Sequence, residues 1–226
     1  MTFKYDKSYA KLLNNKSVAI VGPSPSIIGK RRGKLIDSCD IVVRMNRAIP
    51  VSSKLKKDIG SRTDILYNCL KEGDRNGGKI DIRLWEKNGI KFISSPYPML
   101  DFSKDDIESF IRKNNGRLRF HKFPVKLYKL LEAELGTRPN TGFLAIIDLL
   151  FFNIKSLYVT GITFGIDGYY KEYLDISLKE YMKMANGKNH KQNPQFLYIK
   201  NKIFNIDNRF VPDNTLKYIL KNRKRV

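Results

Sequence analysis

Cysteine and histidine are both scarce in this chain of 226 residues, with two of each. Cys39 and Cys69 form no metal-ligand spacing, which excludes a zinc site built on thiolates. Nothing in their placement supports a disulfide, and free buried thiols in a reducing compartment fit better. Acidic residues are half as common as basic ones, 22 against 43, which leaves a formal charge of +21. No apolar run is long enough to cross a bilayer, since the longest, around Phe143 to Phe152, is short and interrupted. The opening Met1-Thr-Phe-Lys-Tyr-Asp-Lys7 has no apolar stretch ahead of a small-residue cleavage site. No secretory signal is therefore expected, and a cytoplasmic location follows, at most peripheral to the inner face of a membrane.

What is present fits one soluble domain spanning 1–226: 42% hydrophobic and 12% aromatic residues lie in the globular range. Val18-Ala-Ile-Val21 is an apolar run that breaks at Gly22 into the small-residue loop Pro23-Ser-Pro-Ser26. Ile41-Val-Val43 is a second such run, reaching polar Asn46, and Ile65-Leu-Tyr-Asn68 is a third. Neighbouring parallel strands that end in small or polar residues place a ligand, here a nucleotide, at the carboxyl edge of an open sheet. Further strands are expected at Lys91–Ser94 and Ser156–Gly161, and Leu118–Phe123 alternates like a strand, giving His121 a structural place. Helical spacing marks Ile80–Lys87, a helix capped by Ser103 with Ile107, Phe110 and Ile111 inward, Phe123–Leu135 closed by Gly136, and Phe143–Phe152. Alternating elements of this kind predict an α/β fold with a mostly parallel central sheet.

Several segments carry chemistry, each with a plainer alternative. The Gly22 loop lacks the Gly-x-Gly-x-x-Gly spacing and the closing Gly-Lys-Ser/Thr of a P-loop, and alone it reads first as a plain β-to-α turn. Pro139-Asn-Thr-Gly142 opens an apolar helix: Thr141 is the expected N-cap and Gly142 lets backbone amides approach a phosphate, or the pair is an ordinary cap. Gly161 and Gly165 follow the next strand in the same edge-of-sheet geometry. His190 lies in the polar stretch Asn186-Gly-Lys-Asn-His-Lys-Gln-Asn193, where it is either a general base or a solvated surface residue.

Taken in order, these segments resemble the eukaryotic-type sialyltransferases, glycosyltransferase family 29. The family's long motif corresponds to Val18 through Asn46, with Gly60-Ser-Arg-Thr63 following. Its short motif corresponds to Pro139-Asn-Thr-Gly142 through Phe164-Gly165, its third to Tyr169-Tyr-Lys-Glu172, and its very short motif to His190 with Gln195. The resemblance implies a single Rossmann-like α/β/α sandwich, a GT-A variant, with the motif-bearing core at 17–206 and a basic tail at 217–226. It implies inverting transfer of a sialic acid, or a related keto-deoxy sugar acid such as Kdo, from a CMP-activated donor to a hydroxyl of a glycan or lipid-linked oligosaccharide. No cofactor or metal is implied, and no Asp-x-Asp pair offers one. His190 takes the role of base. Gly22, Ser24, Asn46, Asn68, Asn140, Thr141, Gly142, Phe164, Gly165, Tyr169 and Tyr170 take the donor.

The chain also departs from the family pattern. Pro23 stands where the family has Asn, Gln195 where it has Glu, the third motif lacks its histidine, and the motif-linking disulfide is missing. With no signal anchor expected, these features suggest a bacterial, phage or viral member. The basic surface suits peripheral contact with anionic lipid, and nucleic acid is not the expected partner. The competing readings are a basic nucleic-acid-binding module and an inactive relative that only binds.

Overall fold

The structure, a computed structural model, describes residues 6–185, 187 and 190–223. Its elements in chain order are α1 (Lys7–Leu13), β1 (Ser17–Val21), α2 (Gly33–Asp37), β2 (Ile41–Met45), α3 (Lys56–Ile59), β3 (Ile65–Tyr67), α4 (Ile82–Lys87), β4 (Phe92–Ser95), α5 (Lys104–Asn114) and β5 (Arg119–Lys122). They continue with α6 (Val125–Leu135), α7 (Thr141–Phe151), β6 (Ser156–Thr160), α8 (Leu178–Ala185), α9 (Gln192–Tyr198), a π-helical turn (Ile199–Ile203), β7 (Phe210–Pro212) and α10 (Asn214–Asn222).

One seven-stranded sheet runs β5-β4-β3-β2-β1-β6-β7, and every neighbouring pair is parallel. Parallel strands are covered on both faces, which explains why β1 to β4 are buried along their length and mostly apolar, with Arg44, Ser94 and Ser95 as buried polar exceptions. Val18 and Ile20 face one helical layer, which includes Tyr9, Phe143, Phe196 and Leu220. Ala19 and Val21 face the other, with Ile36 and Ile59, and Leu66 and Ile93 meet Trp85 and Phe110 on that same side. The fold is thus the expected α/β sandwich. The short β7 ends in Pro212, which an edge strand tolerates.

Some local expectations need correcting. Asn140, not Thr141, caps α7: its side chain accepts from the Phe143 amide at 2.8 Å, and Thr141 is the first helical residue. Ser103 stands at the cap of α5, but its hydroxyl donates to the Pro98 carbonyl at 2.6 Å and makes no capping bond. Ile111 is exposed, because α5 buries only the stripe containing Ile107 and Phe110. Cys39 and Cys69 are free as expected, yet half-buried.

Helix α7 is apolar around its circumference except at Asp148, which is buried and needs partners. Tyr67 donates to its carboxylate at 2.7 Å, and His121 Nε2 lies 3.1 Å away. On its other side His121 Nδ1 meets Asp6 at 3.3 Å, and Tyr9 stacks on the ring at 4.0 Å. Burial alone would lower the imidazole pKa, but Asp148 and Asp6 together outweigh it and raise it to about 9. His121 is therefore an imidazolium at neutral pH, tying α1 to the sheet and α7.

The folded pKa lies above the unfolded value, so this stabilisation is complete below about pH 6.5 and is lost as pH rises through about 9. Replacing His121→Leu strands Asp148 as a buried charge and is expected to cost about 3–5 kcal/mol at neutral pH. Denaturant melts across this pH range test it. The variant should also lack the alkaline decline of the wild type, and Asp6→Asn, which removes the more exposed partner, should lose less.

Candidate functional site

The strand order changes direction at β1: β2 to β5 follow on one side, β6 and β7 on the other. A ligand crevice is expected at the carboxyl ends of β1 and β6. Its floor is a backbone contact. A Cβ on Gly22 would lie 2.2 Å from the Gly161 carbonyl oxygen, and one on Gly161, at φ +68°, would lie 2.4 Å from that of Gly22. Gly22 is thus required by the neighbouring loop and does not line the cleft. Pro23 and Ser24 fold onto that loop: Ser24 N–H donates to Gly161 O at 3.0 Å, and Tyr170 N–H donates to Pro23 O at 2.9 Å. The Ser24 hydroxyl lies at the cleft wall and donates to Asp167 at 2.8 Å.

Above this floor opens a cleft of about 430 Å³. It brings together Ser24, Asn46, Asn140, Thr141, Gly142, Phe164, Gly165, Tyr169 and His190 of the predicted set. Asn46 ends β2 in a left-handed conformation, φ +49°, with its Oδ1 accepting from Cys69 N–H at 3.0 Å. Phe164 is left-handed too, at φ +50°. Such strain in non-glycine residues concentrates where a ligand is held. At Gly142 an added Cβ would meet nothing closer than 3.5 Å. Packing does not require glycine there, and the amides of Thr141 and Gly142 remain at an open helix start.

His190 is half-buried beside this helix start, better enclosed than a surface loop implies. Its Nδ1 lies 2.9 Å from the Arg138 carbonyl. A carbonyl only accepts, so Nδ1 carries the proton and Nε2 keeps its lone pair. Burial lowers the pKa, the carbonyl bond opposes that, and the Arg138 charge lowers it further, with a net downward shift. His190 is thus a neutral base near pH 7. Two glutamines fix the adjoining residues: Gln195 Oε1 accepts from Asn140 N–H at 2.9 Å, and Asn140 Nδ2 donates to Gln192 Oε1 at 3.0 Å. Gln195 Nε2 donates to Lys191 O at 2.8 Å, so both ends of its amide are used.

Gly22, Asn68 and Tyr170 lie outside the cleft. Asn68 is buried, accepting from Leu70 N–H at 2.7 Å and donating to Gly77 O at 3.0 Å, which shapes the loop after β3. Tyr170 is buried in the cluster of Val21, Ile36 and Ile59, near Arg44. The cleft instead takes Tyr97, Tyr173 and Tyr181, none of which was expected. Tyr169 packs on Tyr173 and Tyr181 at ring separations of 5.0 and 4.7 Å, and burial raises its pKa to about 12. The rim carries Arg47, Lys71, Arg75 and Arg138 against Asp106. The run of tyrosines from Tyr169 to Tyr181 is the sequence feature that marks this wall, and the motif resemblance covers only Tyr169 and Tyr170. Among the described residues no cluster of metal-ligating side chains occurs.

The family model for glycosyltransferase family 29 (sialyltransferase) matches residues 5–124. No curated protein sequence matches. Among solved structures, a mammalian sialyltransferase in complex with Gal-beta-1-3GalNAc-ortho-nitrophenol is similar at 18% identity, covering 80% of this chain and 72% of its own, with a TM-score of 0.49. A second structure of a mammalian sialyltransferase is similar at 18% identity over 79% of this chain and 68% of its own, also at 0.49.

The two kinds of glycine are separable by stability. Gly22→Ala forces its methyl into the Gly161 backbone and is expected to cost about 1–3 kcal/mol or more. Gly142→Ala, whose methyl would make only ordinary contacts at 3.5 Å or more within the first turn of α7, should be neutral or stabilising by up to about 1 kcal/mol. Equal losses in thermal melts of the two variants would refute the packing argument.

Proposed function

The chain belongs to glycosyltransferase family 29, the sialyltransferases, and on that premise we propose how this CMP-sugar-dependent glycosyltransferase works. The donor is a CMP-activated sialic acid, or a related sugar acid such as Kdo, and the acceptor is a glycan or lipid-linked oligosaccharide hydroxyl. Transfer inverts the anomeric centre. His190 Nε2 removes the acceptor proton as the hydroxyl oxygen bonds to the anomeric carbon, while the bond from that carbon to phosphate breaks and CMP departs with the electron pair. The catalytic unit spans 17–206 of a single domain.

The observation that carries this reading is the His190 environment: an imidazole with its proton held by the Arg138 carbonyl, a lowered pKa, and a neighbouring helix start. Protonated donors are set against the phosphate. The Thr141 and Gly142 amides and the Tyr169 hydroxyl, which burial keeps protonated, stabilise the departing charge without a metal. Arg47, Lys71, Arg75 and Arg138 surround this site with positive potential that draws in a doubly anionic donor. Ser24, Asn46 and Asn140 hold the nucleotide, replacing the contact that Pro23 cannot make. The family match ends at residue 124, so the roles of Asn140, Thr141 and His190 rest on the cleft itself.

Titration calorimetry with CMP, against UMP and CDP in metal-free buffer, tests the donor site. CMP should bind preferentially to the wild type and to His190→Ala. Transfer from a CMP-sugar acid should fall about 10²- to 10⁴-fold in that variant with CMP affinity kept. Because the base acts deprotonated and its pKa is lowered, kcat should decline only as pH falls below about 6.5. Retained transfer in His190→Ala would remove it as base. No preference for CMP would refute the donor assignment.

A further inference from the structure

We propose that the face formed by the π-helical turn and α10 docks the enzyme on an anionic lipid surface. The two most exposed large hydrophobic side chains among the described residues are Ile206 and Tyr218, at 71% and 69%. Isolated apolar side chains at a surface need no explanation. These two are not isolated. Ile206 borders a shallow groove of about 480 Å³ together with Lys200, Phe204, Leu220 and Lys221. Tyr218 and Lys221 are three positions apart on α10, on the same exposed helix face, with Lys217 beside them. The face therefore presents an aliphatic and an amphipathic aromatic side chain among lysines, the pattern that seats a protein at the headgroup boundary.

Charge selects the occupant. From Ile199 to Arg223 there are six cations, Lys200, Lys202, Arg209, Lys217, Lys221 and Arg223, against Asp207 and Asp213. Both acids are engaged internally, Asp207 with Arg209 at 2.7 Å and Asp213 buried on Thr160 at 2.6 Å. Lys202 is paired with Glu134 and Arg209 with Asp207, which leaves Lys200, Lys217, Lys221 and Arg223 as the positive surplus that an anionic bilayer requires. A nucleic acid would share the charge but not the need for projecting Ile206.

The face is continuous with the cleft. Arg223 donates to the Phe164 carbonyl at 3.1 Å, lies 4.8 Å from the Phe196 ring, and accepts from Lys200 Nζ at 2.9 Å through its own carbonyl. Phe164 lines the cleft. A bilayer against Lys200 and Tyr218 thus lies one side-chain layer from the donor site, a placement suited to a membrane-held acceptor. Lipid binding goes beyond the catalytic proposal and does not depend on it.

Vesicle flotation tests it, using phosphatidylglycerol–phosphatidylcholine vesicles with pure phosphatidylcholine as control. Wild type should partition to the anionic vesicles alone, more weakly as salt rises. Lys200→Glu/Lys221→Glu and Ile206→Ser/Tyr218→Ser should each lower partitioning about tenfold or more, with CMP binding unchanged. The equal charge change Lys54→Glu/Lys57→Glu, in the opposite helical layer, should lower it much less. Equal loss in that control would assign attraction to diffuse charge and overturn the proposal. So would no vesicle binding by the wild type, or an Ile206→Ser/Tyr218→Ser variant that partitions normally. An oligonucleotide bound through the same lysines without vesicle binding would reassign the face to nucleic acid.

Discussion

The site depends on two backbones touching. At the carboxyl ends of β1 and β6 the Gly22 and Gly161 peptides approach so closely that neither position can hold a side chain. In an open parallel sheet this is where the chain connections part and a crevice forms. Here the contact closes the bottom of that crevice. The chain after Gly161 is then bound to the Pro23–Ser24 turn by paired backbone bonds and rises as one wall. The left-handed Phe164 and Gly165 follow within that wall, and at Gly165, φ +85°, an added Cβ would lie 2.9 Å from the Gln192 side chain. One steric constraint in the sheet thus sets where the aromatic and glutamine residues of the cleft stand.

The chain's two histidines show how burial acts with opposite outcomes. Both are removed from water, and in both the imidazolium is disfavoured by that removal. His121 meets two carboxylates and ends up charged, a structural cation inside the α7 layer. At His190 burial and the Arg138 charge outweigh the opposing pull of the Arg138 carbonyl and leave the ring neutral. Residue type alone does not separate these cases. The carboxylates supplied by the start of α1 and by α7 for one, and the Arg138 segment for the other, decide between a buried ion pair and a neutral imidazole.

The parallel sheet was legible because β1, β2 and β6 are apolar on both faces and stop at glycine or asparagine. The location of the site at the strand ends followed from the same pattern. What escaped was orientation. Tyr169 and Tyr170 are adjacent and touch the same apolar cluster, yet only Tyr169 reaches the cleft. Asn68 ends β3 as Asn46 ends β2, yet its amide is consumed by Leu70 and Gly77 in the following loop. Asn140 and Thr141 are both good caps, and the choice fell to the asparagine because Gln192 and Gln195 hold it from across the cleft. Those partners lie more than fifty positions away in sequence, beyond any local rule.

Gln195 shows why a departure from a family pattern is not by itself a defect. Its buried amide faces an N–H of Asn140 on one side and the carbonyl of Lys191 on the other. A carboxylate would satisfy the first and repel the second, and would place an uncompensated charge where the side chain is fully enclosed. The neutral amide meets both groups and keeps α9 joined to the start of α7. Since His190 is bound to Arg138 O and Lys191 N–H to Thr137 Oγ1 at 3.1 Å, the same junction fixes the imidazole relative to the helix amides. Glutamine here holds His190 and the start of α7 in the one arrangement that the proposed base and phosphate site would share. The substitution is therefore accommodated without a buried charge or an unpaired amide, and the proposed cleft does not need glutamate at this position.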